Sequence, residues 1–217
     1  MSEQYKIVLV DDHQLFADGL SAILESANPL MQVTAFTDAR EALRELESGL
    51  DVDLILLDLH MPQMDGLDFL LATKQLVYVP AVLIVSSDID VRVIYRGLSQ
   101  GAAGFVPKSV DSKSMLAAIE MTLENGVYIP EELQMPLNAF KQEYEALMAV
   151  LTERQLQILI FLNEGLTNAQ MAERLFLSRH AVKYHLSHLF EALRVNSRAD
   201  CIEKAKAAGL LGIGLTV

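Results

Sequence analysis

The sequence predicts an α/β domain followed by an all-α module: a doubly wound parallel (βα)5 sheet, then four short helices. Three observations carry this. Over residues 1–126, five short apolar or β-branched runs alternate with stretches of helical periodicity, the order that builds a parallel sheet with helical crossovers. The run Leu54-Ile55-Leu56-Leu57 is apolar without alternation, as in a central strand buried on both faces. From Leu151 onward helical spacing continues without a strand-like run.

The elements follow in order. Tyr5–Val10 is rich in β-branched residues and reads as a strand. Over 13–27, Leu15, Phe16, Leu20, Ile23 and Leu24 recur at helical spacing. Met31–Phe36 is the second strand. The Ala-, Leu- and Glu-rich stretch 39–48 is a helix with Asp38 as its N-cap and Gly49 as its stop. Leu54–Leu57 is the third strand and 67–76 the third helix. Pro80 stands at the entrance of a fourth strand over 81–85, followed by a helix over 91–100 that Gly101 ends. A short fifth strand, 103–106, leads to a helix over 112–124 capped by Asp111. Pro130 and Pro136 interrupt residues 127–150, read as a partly helical linker whose helix spans 137–150 through Phe140, Tyr144, Leu147 and Met148. The remainder, 151–217, forms the second domain, with turns at 165–168, 177–178 and 195–197.

Bulk properties narrow the functional classes. The chain has 217 residues, 52% of them hydrophobic, and a net charge of −12. That charge is unevenly held: −11 over residues 1–126, −3 over 127–149 and +2 over 150–217, where three of the five histidines also lie. An acidic regulatory half joined to a mildly basic binding half fits this split. No apolar run approaches a membrane span, and Met1 to Lys6 does not open a signal peptide. The single cysteine, Cys201, excludes an intramolecular disulfide. A soluble protein of the reducing cytoplasm is expected, with no membrane partner.

In a doubly wound sheet, ligands sit beyond the carboxyl ends of the strands. The residues there are Asp11 and Asp12 after the first strand, Asp58 after the third, Ser86-Ser87 at the end of the fourth and Lys108 after the fifth. Each aspartate alone is more simply a helix cap. Together, at one sheet edge, three carboxylates repel unless a cation joins them, and a hard oxygen-ligated ion, Mg²⁺, suits that demand. A lysine opposite supplies a point charge for phosphoryl oxygens and a serine hydroxyl a donor. Such a set is equipped for phosphoryl transfer onto a carboxylate, where positioning and charge neutralisation do most of the catalysis.

The segments Val8-Leu9-Val10-Asp11-Asp12-His13, Leu56-Leu57-Asp58-Leu59-His60-Met61-Pro62-Gln63-Met64-Asp65-Gly66, Ile84-Val85-Ser86 and Gly101 to Lys108 resemble the response-regulator receiver domain over residues 5–126. The resemblance implies a flavodoxin-like (βα)5 fold in which Asp58 accepts a phosphoryl group from a histidine kinase. It implies that Asp11, Asp12 and the Asp58 carboxylate hold Mg²⁺ with the His60 carbonyl. It further implies that Ser86 bonds the phosphoryl group, that Phe105 rotates inward as a switch and that Lys108 contacts the phosphoryl oxygens. The His60 imidazole, at the mouth of that site, is better suited to tuning the rate than to binding metal. His13 reads as a helix-start residue, and Met61 and Met64 as packing residues.

In the second domain, 168–176 is a short helix with Met171, Ala172 and Leu175 inward. Ser178 caps a longer helix in which Val182, Leu186, Leu189 and Leu193 share one face. Two helices joined by a tight turn, the second with a polar face, suit a DNA-reading helix-turn-helix, although any three-helix bundle has one apolar face per helix. Leu151 to Gln155, Leu166 to Ala172, Leu177 to Leu186 and Leu193 to Ala199 are similar to the LuxR-type helix-turn-helix, which makes the whole chain resemble the NarL/FixJ group of transcription regulators. By that resemblance Lys183, Tyr184 and Ser187 face base edges of double-stranded DNA, while Arg179, His180 and His188 lie near phosphates or the groove wall. Gln155 stands where the family often has Glu, and Ala181 where it has Thr. The last helix, 198–208, presents Ala199, Ile202 and Ala205 for a homodimer contact or for core packing. A +2 module neutralises few phosphates, so binding is expected to depend on dimerisation. The apolar tail 209–217 is expected to pack on its own domain or on a partner.

The leading functional expectation is therefore a phosphorylation-controlled transcription regulator. The alternative is a phosphorylation-controlled interaction protein with weak or no DNA binding, motivated by the acidic balance and the thin basic face. A turnover enzyme ranks below both, because the sequence shows no Gly-rich phosphate loop and no nucleophilic triad.

Overall fold

The computed structural model describes residues 4–62 and 64–211. The chain divides into two compact units, Met1–Met135 and Pro136–Val217.

The first unit is built on a five-stranded parallel sheet in the order β2-β1-β3-β4-β5. Its strands are β1 (Tyr5–Val10), β2 (Met31–Phe36), β3 (Leu54–Leu57), β4 (Ala81–Ser86) and β5 (Gly104–Pro107), alternating with α1 (Gln14–Ala27), α2 (Ala39–Glu47), α3 (Gly66–Thr73), α4 (Val91–Ser99) and α5 (Ser112–Leu123). The strand order reverses between β1 and β3, so the crevice that such sheets use for ligands opens at their carboxyl ends. β1, β3, β4 and β5 alternate in which layer they feed. Ile7, Leu9, Leu54, Leu56, Leu83, Val85 and Val106 form one core with Ala17, Leu20 and Leu24 of α1 and Met115, Ala118 and Ile119 of α5. The intervening residues, among them Val8, Ile55, Ile84 and Phe105, are equally buried on the opposite face.

Aspartates start four of these helices. Asp38, Asp65, Asp90 and Asp111 each accept a hydrogen bond from a backbone N–H of the first turn, satisfying donors that have no intrahelical partner. α3 ends at Thr73, three residues before the expected stop. Lys74, Gln75 and Leu76 continue only as tight turns that bond back to Leu71, Ala72 and Thr73.

One helix departs from the expected start. α6 (Glu131–Val150) begins at Glu131 and contains Pro136, whereas the sequence reading placed Pro136 as an interruption and began the helix at residue 137. Pro136 is the sixth residue of α6; it removes the hydrogen bond to the carbonyl of the exposed Glu132, and the helix continues past it.

The second unit holds α7 (Glu153–Asn163), α8 (Asn168–Arg174), α9 (Arg179–Leu193) and α10 (Arg198–Ala207). Thr152, Thr167, Ser178 and Ser197 cap them, and Thr152 with Gln155 and Thr167 with Gln170 close reciprocal capping boxes. Ile158, Leu159, Met171, Val182, Leu189, Cys201 and Ala205 form the centre of its core, with Tyr144, Leu147 and Met148 of α6 packed against it. Arg198 ties α10 to the start of α8, donating to Asn168 Oδ1 at 2.8 Å and to the Leu166 carbonyl at 2.6 Å. Of the apolar tail, Leu210 is buried in this core and Leu211 packs against it; residues 212–217 lie outside the described residues.

Candidate phosphorylation site and nucleic-acid interface

Strand register assembles the acidic site. Val10 of β1 pairs with Leu57 of β3, so the next residue of each strand, Asp11 and Asp58, lands at the same height. The Asp58 N–H donates to the Val10 carbonyl at 2.9 Å. On the other side, Ser86 pairs with Pro107, and the Lys108 N–H donates to the Ser86 carbonyl at 2.9 Å.

The side chains meet above this edge. Lys108 Nζ lies 2.7 Å from Asp11 Oδ2 and donates to Asp58 Oδ2 at 2.8 Å. Asp11 and Asp58 are 0% and 2% exposed, so the ammonium offsets two desolvated carboxylates at once. The Lys108 ammonium also lies over the Phe16 ring, with Nζ 4.9 Å from its centroid. Burial pushes the Lys108 pKa down, but Asp58 and Asp11 outweigh it and hold the ammonium above the ordinary lysine value. Asp58 Oδ1 accepts from the Leu59 N–H at 2.7 Å, which fixes the carboxylate against the start of its own loop.

Asp11, Asp12, His13 and Asp58 place ligand atoms within 4.8 Å of one another. Asp11 Oδ2 and Asp12 Oδ1 are buried and accept no hydrogen bond of good geometry, although Lys108 and His13 stand at ion-pair distance from them. Buried oxygens short of donors suit a cation, and the three carboxylates among the four groups suit a hard one. The acidic cluster is compatible with Mg²⁺.

Several residues sit differently from the sequence expectation. His13 stands at the start of α1 as expected, in the N-cap position, but its side chain makes no cap. Its Nδ1 lies instead 3.1 Å from Asp11 Oδ1 and 3.0 Å from Asp12 Oδ1, so it joins the carboxylate cluster. Its place directly after the two aspartates was the available signal. The His60 imidazole lies 3.3 Å from Asp88 Oδ2, and the Asp88 N–H donates to Ser86 Oγ at 3.2 Å. Asp88 was not singled out, because nothing in its spacing marks it. Phe105 is 0% exposed: the ring is already inside, so the inward rotation implied by the resemblance has no outward starting point in this structure.

In the second unit, Arg179, His180, Lys183, Tyr184, Ser187 and His188 are all exposed along α9, while Val182, Leu186, Leu189 and Leu193 are buried. Ser187 Oγ donates to the Tyr184 carbonyl at 2.8 Å, which leaves the hydroxyl free only to accept. The expected dimer stripe on α10 needs correction. Ala199 is exposed and Ile202 half-buried, but Ala205 is 0% exposed and belongs to the core. Cys201 and Ala205, one turn apart, are the residues α10 turns inward, so Ala205 is unavailable to a partner. Burial also pushes the Cys201 thiol up to about 11.

A five-stranded parallel sheet with buried aspartates at its carboxyl edge, followed by a helix-turn-helix, defines a phosphoryl-receiving regulator class. Comparison with known proteins agrees. Residues 7–120 match the family model for the response regulator receiver domain, and residues 149–205 match that for bacterial regulatory proteins of the luxR family. The chain is 34% identical over 209 residues to the glycerol metabolism activator of Pseudomonas putida, covering 93% of this chain and 95% of that protein. It is 30% identical over 198 residues to the response regulator VraR of Staphylococcus aureus, covering 91% and 94%. Among solved structures, the response regulator ChrA of a heme-sensing two-component system aligns with TM-score 0.51 at 27% identity, over 97% of this chain and 100% of that one. The RcsB–DNA complex aligns with TM-score 0.63 at 18% identity, over 94% and 99%, and shares the fold. The chain belongs to the NarL/FixJ-type response regulators, transcriptional regulators with a receiver domain and a LuxR-type DNA-binding domain.

Proposed function

We propose that Asp58 is the phosphoacceptor through which a sensor histidine kinase controls DNA binding by α9. In this reading residues 1–126 are the receiver, 127–150 the linker and 151–217 the effector, and the protein works in the cytoplasm, where the chromosome is. One observation carries it: Lys108 Nζ bridges two buried carboxylates, Asp11 at 2.7 Å and Asp58 at 2.8 Å.

Asp58 Oδ2, which faces the lysine, attacks phosphorus; the bond from phosphorus to the donor breaks, and the leaving nitrogen of the kinase histidine departs with its electron pair. Lys108 neutralises the charge that develops on the phosphoryl oxygens. Ser86, at the end of β4, offers its hydroxyl to one of them. Asp11, Asp12, Asp58 and the His60 carbonyl would hold Mg²⁺, which when bound supplies charge neutralisation between the carboxylates and the incoming group. The Phe105 ring and Ser86 then form the element that senses the new charge. Arg179, His180 and His188 engage the DNA backbone, Lys183, Tyr184 and Ser187 the base edges, and a homodimer joined through Ala199 and Ile202 supplies the second half-site.

Labelling by acetyl phosphate with Mg²⁺ tests the site. We expect one phosphoryl group on the wild type and none on Asp58→Asn; label retained in Asp58→Asn would refute the assignment. Duplex binding titrated against salt, before and after phosphorylation, separates a DNA reader from an interaction protein. A reader shows salt-dependent binding that Lys183→Ala weakens.

A further inference from the structure

Glu191 sits out of place on a helix meant to approach phosphates. It lies on the same exposed strip of α9 as Tyr184, Ser187 and His188, and a carboxylate there repels DNA. Its contact explains its presence: Glu191 Oε2 is 3.5 Å from His188 Nδ1. The His188 ring in turn meets the Tyr184 ring edge-to-face, with centroids 4.4 Å apart and planes at 68°. A second imidazole, His185, approaches the same phenol ring at 5.6 Å and 75°. Tyr184 is nonetheless 57% exposed. The ring is therefore open to a partner while its orientation is already set.

We propose that His188 is a positioning residue for sequence reading: held by Glu191, it fixes the Tyr184 ring so that this ring reads the methyl group of a thymine in the major groove. This rests on the DNA-binding reading above and specifies how one base is chosen. The phenolic hydroxyl donates and accepts, so it discriminates poorly among base edges. The ring itself is apolar, and the C5-methyl of thymine is the apolar feature of the major-groove edge. Burying one methyl against a ring is worth a factor of about four in affinity. A loose side chain forfeits roughly two- to tenfold on being ordered at an interface, enough to erase that factor. The aromatic contacts remove the loss in advance, which compensates for keeping Glu191 on a phosphate-facing helix.

The test uses the full-length protein and duplexes enriched by in vitro selection from random sequence, with and without acetyl phosphate and Mg²⁺. Each thymine of the enriched site is replaced singly by deoxyuridine, which deletes only the methyl, and affinity is read by fluorescence anisotropy at fixed salt. One thymine per half-site is expected to lose about fourfold on replacement in the wild type and nothing in Tyr184→Ala. The discrimination should fall toward unity in His188→Ala, in Glu191→Ala and in His188→Phe, whose ring Glu191 cannot hold, and survive in Glu191→Gln, which keeps an acceptor for Nδ1–H. Helix content and melting of each variant, all substituted at exposed positions, check that the domain is folded. An enriched site without any methyl effect, or a methyl effect that persists in Tyr184→Ala, overturns the thymine assignment. Full discrimination in His188→Ala overturns the positioning role. Failure of the broader reading is distinct: no sequence is enriched in either phosphorylation state, and this inference falls with it.

Discussion

Gly66→Ala examines how closely the Asp58 loop is built onto α3. A Cβ at Gly66 would stand 2.3 Å from the Asp58 carbonyl oxygen and 2.6 Å from Leu59 Cα, where ordinary contact begins at 3.4 Å. Both neighbours are backbone, so neither can rotate aside. The Gly66 N–H also donates to the Leu59 carbonyl at 2.9 Å, which locks the close approach from the other side. Relieving the overlap means parting the Asp58–Leu59 peptide from the start of α3 by about 1 Å, at a cost of about 1–3 kcal/mol. The Asp58 carboxylate moves with that peptide, because Oδ1 is tied to the Leu59 N–H. A misplacement of this size costs on the order of a hundredfold in a reaction that depends on alignment. Thermal unfolding followed by circular dichroism and the rate of labelling by acetyl phosphate measure the two effects. Gly97→Ala is the control: its Cβ would meet the Ile84 Cδ1 methyl at 2.3 Å, a side-chain end that can turn away, and the labelling rate should change little. A Gly66→Ala protein that melts with the wild type and labels at the wild-type rate refutes the close-packing argument.

Two further outcomes follow from other parts of the molecule. Lys108→Ala leaves Asp11 and Asp58 buried without their shared ammonium, which should cost about 3–5 kcal/mol in chelator and less in millimolar Mg²⁺, by urea denaturation; equal stability with and without Mg²⁺ would contradict the cation-site reading. Cys201, with a thiol at about 11 rather than the ordinary 9.0, should react with a disulfide reagent at pH 8 at least about tenfold more slowly in the native than in the unfolded chain, the loss of thiolate outweighing its higher nucleophilicity. Because folding holds the neutral thiol, its contribution is full below pH 9 and lost as pH rises toward about 11. Rapid native-state modification would show that α10 opens or that the thiol is not enclosed.

Much of the site was legible because parallel strands are short and end together. Once the ends of the first, third and fifth strands are recognised, Asp11, Asp58 and Lys108 must share one edge. The helix caps were legible for a similar reason: Asp38, Asp111 and Ser178 act on donors two or three residues away, and no tertiary information is needed. Pro136 misled because proline ordinarily breaks a helix interior, whereas α6 continues through it with the lost bond falling on the exposed Glu132. Phe176 shows the opposite limit. It follows α8 at a positive φ of 54° and is almost fully exposed. Gly165, at φ 80° after α7, announces its turn by residue type, whereas Phe176 does not.

By itself the sequence determined which elements form, the caps Asp38 and Asp111 of two receiver helices and which residues stand after the site-forming strands, because those depend on neighbours along the chain. Tertiary structure decided the rest. Only the pairing of β1 with β3, β3 with β4 and β4 with β5 brings Lys108 across two buried carboxylates, and only the side-chain conformation turns His13 onto its neighbours Asp11 and Asp12. Only the packing of α10 on α7 and α9 reveals that Ala205 is core while Ala199 is surface, two positions that residue type describes alike. The same holds on α9, where helical spacing puts Tyr184, His188 and Glu191 on one exposed strip. Their linkage rests on ring orientations and a 3.5 Å contact, because a helical period specifies directions from the axis and leaves side-chain rotamers to the surroundings.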